Sequence, residues 1–200
     1  MKAAYVVLGI LLGVVGMVAL RMAYAQPEAP PHYHASFAIF VDGERVDLSG
    51  DEYMEDVAAC AAGHTVLPRA RVHLHDNNPD IVHVHHAGAT WGHLFANLGI
   101  GVGQRYIAPA GGPVLTSDEG RSMKFILNGR PQFEVHNELI RPGDRVLVSY
   151  GPESEAEVLR SQFPQVATGA EEYDTRDDPA GCAGAARATF RERLRHALVG

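Results

Sequence analysis

The sequence contains little cysteine and little methionine: two cysteines and five methionines in 200 residues. Cys60 and Cys182 are far apart and form no Cys-x-x-Cys motif, which excludes a zinc ribbon and a thioredoxin-type redox site. Three of the methionines (Met1, Met17 and Met22) lie in or beside the apolar N-terminal segment, so a methionine-rich Cu(I) site is not indicated. In an oxidising compartment the cysteine pair predicts one disulfide, and two buried free thiols are the alternative.

Positive charge is also scarce, because 17 Lys and Arg stand against 24 Asp and Glu, for a formal net charge of −7. A nucleic-acid-binding protein needs a basic face, so the composition argues against that class. The sequence also lacks a phosphate-binding loop, a dinucleotide fingerprint, a Gly-x-Ser-x-Gly elbow and a His-Glu-x-x-His motif. We therefore predict no nucleic-acid partner, and enzymatic activity is not favoured.

Only one long apolar run is present, and it covers 18 uncharged residues at positions 3–20, between Lys2 and Arg21. This length suits a single membrane-spanning anchor. The alternative is a signal peptide of residues 1–25, cleaved after Ala23-Tyr24-Ala25. The length of the run and the position of Arg21 favour the anchor. Both alternatives predict an extracytoplasmic domain, periplasmic or extracellular, on a single-pass protein of the cell membrane; cleavage would make the protein secreted.

The remaining chain divides by composition. Residues 26–31 form a proline-rich spacer, residues 32–151 a folded domain, and residues 152–200 a polar tail. Within the tail, short helices are predicted at 155–163 and at 183–198. The second of these carries four arginines beside apolar residues, and it suits either a helix docked on the domain or a helix that binds a membrane surface or a partner.

Turn signals alternate with strand-like runs in the folded domain. The dipeptides Asp42-Gly43 and Asn128-Gly129 predict hairpin turns, and Thr90 and Gly99 bound a predicted amphipathic helix. Residues 101–113 are expected to be an irregular connection. The order hairpin, hairpin, helix, hairpin, strand predicts an α+β fold, a small mixed sheet with one main crossing helix (β-grasp-like), preceded by a transmembrane helix or signal peptide and followed by a C-terminal helix.

Histidine is abundant, with 11 in all and six between positions 73 and 93. Two pairs, His73 with His75 and His83 with His85, have i, i+2 spacing. On a strand this spacing places both side chains of a pair on the same face. A site made of imidazoles suits Zn²⁺, Cu²⁺ or Ni²⁺. We therefore predict a site for a divalent transition metal, Zn or Cu, with these candidate ligands: His73, His75, His83, His85, His34 and His86.

The segments 71–75 and 81–86 flank a turn at residues 76–80 and form the second predicted hairpin, whose register decides whether the two pairs can meet. A loop with an odd number of residues puts all four rings on one face, whereas a four-residue loop at 77–80 puts the pairs on opposite faces. The sequence leaves both alternatives open. The motif His32-Tyr33-His34 begins the first strand and could supply further ligands.

Two resemblances bear on these predictions. The segments 90–98, 123–130 and 141–151 are similar to β-grasp domains of secreted ligand-binding proteins, most of all to the small domain related to the C-terminal part of transcobalamin. The segments 41–45, 73–76 and 83–93 resemble a family of uncharacterised, membrane-anchored, His-rich exported proteins of bacteria and archaea. The first resemblance implies a β-grasp fold, and the second implies export and no particular activity.

The leading hypothesis is a membrane-anchored extracytoplasmic protein that binds a metal through histidines. The alternative is a non-enzymatic ligand- or protein-binding ectodomain of the cell envelope, in which the histidines are incidental. A third hypothesis is a metal-dependent hydrolase, for which the candidate general bases are Asp76, Asp80 and Glu134. The membrane is the predicted partner through the N-terminal helix, and an envelope protein partner and the oligomeric state are left open.

Overall fold

The computed structural model describes residues 2–24, 31–55, 71–175 and 190–199. It divides into two units, Met1–Pro30 with Gly184–Gly200, and Pro31–Ala183. Cys60 and Cys182, with the disulfide predicted between them, lie outside the described residues.

The described helices are α1 (Lys2–Tyr24), α2 (Trp91–Asn97), α3 (Glu155–Ser161) and α4 (Phe190–Val199). Three short 3₁₀ turns lie at Asp51–Tyr53, Phe163–Gln165 and Ala170–Thr175. The strands are β1 (Tyr33–Val41), β2 (Glu44–Arg45), β3 (Val72–His73), β4 (Ile81–Val84), β5 (Gly101–Gly103), β6 (Tyr106–Ala108), β7 (Leu115–Thr116), β8 (Ser122–Leu127), β9 (Arg130–Gln132) and β10 (Arg145–Gly151).

The first unit contains α1 and α4. Helix α1 has 23 residues, none of them buried, and it is long and apolar enough to cross a membrane. A signal sequence can have the same length and apolar composition. At the end of α1, Arg193 Nη2 of α4 donates a hydrogen bond of 2.6 Å to the carbonyl oxygen of Met22. This bond satisfies one of the carbonyls that a helix C-terminus leaves without an intrahelical partner.

The second unit is α+β, with a mixed sheet in the strand order β3-β4-β1-β10-β8-β9 and β2 paired to β1. The central strands β1 and β10 are parallel, with Phe37 opposite Val146, and the other pairs in this sheet are antiparallel. Buried side chains of α2 belong to the same core cluster as side chains of β1, β4 and β10. The predicted fold class is therefore confirmed at the level of an α+β mixed sheet.

Local signals specify several turns and one helix boundary. Asp42 and Gly43 have φ of 51° and 83°, and Asn128 and Gly129 have φ of 53° and 76°, which is the left-handed backbone that the predicted hairpin turns need. The Thr90 side chain accepts a hydrogen bond from the His93 backbone N–H, so the predicted N-cap of α2 is confirmed.

Two strands, β5 and β6, lie within residues 101–113, for which an irregular connection is predicted. With β7 they form a separate three-stranded antiparallel sheet, β5-β6-β7. Gly101 pairs with Ala108 and Gly103 with Tyr106 across a two-residue turn. Backbone hydrogen bonding forms these short strands, and the glycine-rich sequence gives no alternating apolar pattern that would reveal them.

Strand β1 is buried on both faces, which is the feature that shapes the rest of the domain. Phe37 and Ile39 point into the larger core with α2. Ala38 and Phe40 point the other way and pack in a second apolar cluster with Ile126, Leu147, Val158 and Val166. Two members of that cluster follow Gly151, so the chain after the last strand covers the second face of the sheet.

Arg145, the first residue of β10, fastens this covering segment to the sheet. Its Nε donates to the carbonyl oxygen of Ala167 at 3.0 Å, and its Nη2 donates to the carbonyl oxygens of Phe163 and Val166. The guanidinium also lies 4.7 Å from the centre of the Phe163 ring, a cation–π distance. One side chain therefore holds three backbone carbonyls of the segment 163–167.

The core assignment predicts a large difference between two phenylalanines. Phe37→Ala removes a fully buried ring and should lower the free energy of unfolding by about 3–5 kcal/mol. Phe133→Ala removes a ring that is 79% exposed and should change it by less than about 0.5 kcal/mol. Denaturant unfolding of the full chain in detergent micelles measures both, and equal effects would contradict this description of the core.

Candidate metal centre

Three neighbouring strands bring the histidines together. His34 of β1 lies opposite His83 of β4, and His83 lies opposite His73 of β3. Of the two registers that the sequence leaves open, this is the one in which both i, i+2 pairs share a face. Alternation along the strands then places His75, His85 and His32 on that same face.

The six rings form one contiguous group, called here the histidine cluster: His32, His34, His73, His75, His83 and His85. The closest ring centres are those of His75 and His83, 3.4 Å apart, followed by His34 and His83 at 4.3 Å. His32 lies 4.7 Å from His34 and 4.9 Å from His85, whose ring is 5.0 Å from that of His73. Each ring therefore has at least one imidazole neighbour.

The cluster is removed from water. His34, His73, His75 and His83 are each at most 4% exposed, and His32 and His85 are partly buried. The rings stand on the second face of β1, the one that also carries Ala38 and Phe40. The 3₁₀ turn Ala170–Thr175 contributes to the cover, because the Tyr173 ring lies 5.8 Å from that of His34.

Three of the six histidines form a group that could hold a metal ion. One ring nitrogen from each of His32, His34 and His83 lies within 4.8 Å of the other two. Nitrogens bound to one tetrahedral Zn²⁺ at about 2.0–2.1 Å are roughly 3.3–3.4 Å apart. Small side-chain adjustments would bring the three rings onto one ion, so this group could hold a metal.

The electrostatics of the cluster favour neutral imidazoles. Burial, reinforced by the charges that His75, His34, His73 and His85 would carry, lowers the pKa of His83 far below its ordinary value. Burial and its neighbours lower the pKa of His85 to about 3. Burial also lowers the pKa of His34, against the opposing effect of Asp174. At neutral pH these rings keep the lone pairs that a metal requires.

The His85 ring has a nitrogen without a hydrogen-bond partner among the described residues. The Nε2 atom of His85 is buried and makes no hydrogen bond within the part of the chain that the structure describes. A buried nitrogen left unsatisfied costs about 1–3 kcal/mol, a cost that coordination of a cation would remove. The position of His85 in the cluster is thus better suited to a bound ion than to an empty site.

Five of the six predicted candidate ligands lie in the cluster: His34, His73, His75, His83 and His85. The sixth, His86, is exposed, and its Nδ1 accepts a hydrogen bond from the backbone N–H of Gly88. His32, which the sequence indicates only as a further source of ligands, is one of the three histidines that could hold a metal ion.

Asp174 was missed by the sequence prediction. Its Oδ1 lies 2.6 Å from Nδ1 of His34, although the two residues are 140 positions apart. No local motif relates them, so only the fold of the tail could have revealed the contact.

The candidate general bases have different surroundings. Asp76 Oδ2 lies 2.9 Å from Nδ1 of His75, at the edge of the cluster. Asp80 is paired with Arg45, and Glu134 accepts hydrogen bonds from Gln104 and Asn137. Of these three carboxylates, Asp76 is the one with a described contact to the cluster.

The lowered pKa values predict that acid destabilises the metal-free protein. Above about pH 6.5 the imidazoles are neutral in both the folded and the unfolded chain. Below that pH only the unfolded chain takes up their protons, so the free energy of unfolding falls by up to about 1.4 kcal/mol per pH unit for each of His34, His83 and His85, until the folded pKa is reached. Denaturant unfolding with a chelator, in steps from about pH 7 to about pH 5, measures this slope.

Two variants control the assignment of the slope. His85→Phe removes one imidazole whose pKa is lowered by burial. The free energy of unfolding should then fall less steeply as the pH is lowered, because one proton fewer is taken up on unfolding. His86→Gln removes an exposed imidazole outside the cluster and should leave the slope unchanged. A free energy of unfolding that does not change over this pH range would contradict the burial of neutral histidines.

No family model, curated protein or solved structure matches this chain.

Proposed function

We propose that this protein binds a divalent transition metal ion, Zn²⁺ or Cu²⁺, through the histidine cluster of a membrane-anchored extracytoplasmic domain. The observation that carries the proposal is the triad of His32, His34 and His83, whose ligand nitrogens lie within 4.8 Å of one another. His73, His75 and His85 surround the triad and offer further imidazoles to the ion.

The donor set supports this choice of metals. Imidazole nitrogen suits Zn²⁺ and Cu²⁺, whereas Ca²⁺ and Mg²⁺ prefer oxygen ligands. The described chain offers no cysteine near the rings, and Met54 and Met123 belong with the core on the other face of the sheet. A site whose described ligands are imidazoles suits Zn²⁺ or Cu²⁺, whereas Cu⁺ prefers thiolate and thioether ligands.

The burial of the rings supports a metal over an incidental cluster. An imidazole on a surface strand keeps its hydration, but four rings of this cluster are almost fully buried. Water competes little with a cation for the nitrogens of rings that are this deeply buried.

The first unit supports anchoring rather than cleavage. Helix α1 extends about 35 Å, enough for the roughly 30 Å hydrocarbon core of a bilayer, and none of its residues is buried. The hydrogen bond from Arg193 to Met22 joins α4 to the end of α1, and cleavage after residue 25 would remove it. Within this proposal the anchor keeps the metal site at the membrane.

The strand order supports the β-grasp resemblance as part of the same proposal. A parallel central pair, β1 and β10, lies between an antiparallel hairpin on each side, and α2 connects the two halves. The exported His-rich family remains the proposed relative, on the segments 41–45, 73–76 and 83–93.

Metal binding is tested on the purified full chain in detergent micelles, stripped with a chelator and then dialysed against Zn²⁺ or Cu²⁺. We expect at least one equivalent of metal by plasma mass spectrometry. The double variant His34→Phe/His83→Phe should bind at least about 100-fold more weakly, because it removes two ligands of the triad. Calorimetric titration at neutral pH gives the affinities.

The matched control is His86→Ala/His196→Ala, which removes two histidines outside the cluster and should keep the full affinity. Circular dichroism checks that each variant folds. A folded wild-type chain that retains no metal, or a control that loses as much as the triad variant, would overturn the proposal.

Anchoring has its own test. The full chain should stay with membranes after alkaline carbonate extraction, and a fusion of alkaline phosphatase after Gly200 should be active, as expected of an extracytoplasmic C-terminus. Release of the chain with an N-terminus at Gln26 would instead identify a cleaved signal peptide, and an inactive fusion would place the domain on the cytoplasmic side.

A further inference from the structure

The segment after the last strand places a carboxylate against the histidine cluster. Within the 3₁₀ turn Ala170–Thr175, Asp174 Oδ1 lies 2.6 Å from His34 Nδ1. The neighbouring Tyr173 receives a hydrogen bond of 3.3 Å at its hydroxyl from Asn78 Nδ2. The turn is thus attached both to β1 and to the loop between β3 and β4, which fixes the carboxylate over one ring of the triad.

The contact with Asp174 fixes where His34 carries its proton. Asp174 Oδ1 lies within hydrogen-bond distance of His34 Nδ1, and a carboxylate oxygen accepts the N–H of an imidazole placed in this way. Nδ1 of His34 is therefore the donor in this contact. The Nε2 atom of His34 therefore carries the lone pair.

The lone pair points into the cluster. His34 Nε2 lies 2.9 Å from His83 Nδ1, so in the metal-free protein His83 Nδ1–H donates to it. A metal ion bound at His34 Nε2 would take the place of this proton. His34 could neither rotate nor exchange tautomers without losing its short bond to Asp174, and His34 itself is 1% exposed.

We propose that Asp174 is a positioning residue of the metal site, which holds the Nδ1–H of His34 and so keeps the Nε2 lone pair directed at the ion. This inference rests on the proposed function. The arrangement of carboxylate, imidazole and metal orients the ring and raises its basicity, and loss of the outer carboxylate typically costs 10- to 100-fold in metal affinity.

The first test reads the tautomer without any metal. A long-range proton–nitrogen NMR spectrum of the ¹⁵N-labelled full chain distinguishes Nδ1–H from Nε2–H imidazoles. We expect His34 to be the Nδ1–H tautomer in the wild-type protein, and a mixture of the two in Asp174→Ala. A His34 that carries its proton on Nε2 in the wild type would overturn the inference, whether or not a metal binds.

The second test measures Zn²⁺ affinity by competition with a chromophoric chelator. Asp174→Ala should bind about 10- to 100-fold more weakly at unchanged stoichiometry, and Asp174→Asn should fall between it and the wild type because the amide oxygen still accepts the hydrogen bond. Glu171→Gln, an exposed carboxylate of the same turn, is the matched control and should not change the affinity.

The outcomes separate this inference from the function on which it rests. A wild-type chain that binds no Zn²⁺ overturns the proposed function, and with it the role of Asp174. A wild type that binds Zn²⁺ while Asp174→Ala and Asp174→Asn bind equally well overturns the inference alone. Variants that unfold at lower temperature but keep both the tautomer and the affinity would show that Asp174 only stabilises the fold.

Discussion

The burial of β1 on both faces is the constraint on which this domain depends. The residues from His34 to Phe40 are all buried, so each of them must be compatible with a dry environment. Apolar side chains satisfy this condition around Phe37 and Phe40. At His34 the same condition acts on a polar ring, which must stay neutral and find partners in the protein. The chemistry of the site is a consequence of where the strand lies in the sheet.

The partners of His34 come from distant parts of the chain. His83 arrives through strand pairing, and Asp174 arrives through the segment that returns over the sheet. A buried polar network stabilises the fold only when its members are all satisfied, and it is costly when one is missing. The cluster therefore links the integrity of the sheet, the packing of the C-terminal segment and the availability of the lone pairs.

Local features of the fold could be predicted from the sequence, because short-range physics determines them. Asp42-Gly43 and Asn128-Gly129 require left-handed backbone, and Thr90 caps the helix that follows it. The i, i+2 spacing of the histidines identified the pairs that share a face, since strand alternation is a property of the backbone. The register of the β3–β4 hairpin could not be predicted. The loop between these strands allows one register that places both histidine pairs on the same face and another that places them on opposite faces.

Long-range features could not be predicted in the same way. Residues 152–175 have the composition of a solvated tail, so nothing local indicates that Val158 and Val166 cover one face of the sheet. The contact between Asp174 and His34 depends on that packing and has no sequence signature. The strands β5–β7 were missed because glycine-rich backbone pairing leaves no apolar period.

Arg145 donates hydrogen bonds to the carbonyl oxygens of Phe163, Val166 and Ala167. These bonds determine where the chain can be truncated. A fragment that stops at Gly151, where the composition changes, would contain every strand that the structure describes and every histidine of the cluster. It would also leave the guanidinium without its acceptors and open Phe40 and Leu147 to water. Such a fragment would be expected to self-associate through the uncovered sheet, so the boundary for any excised version lies beyond residue 175.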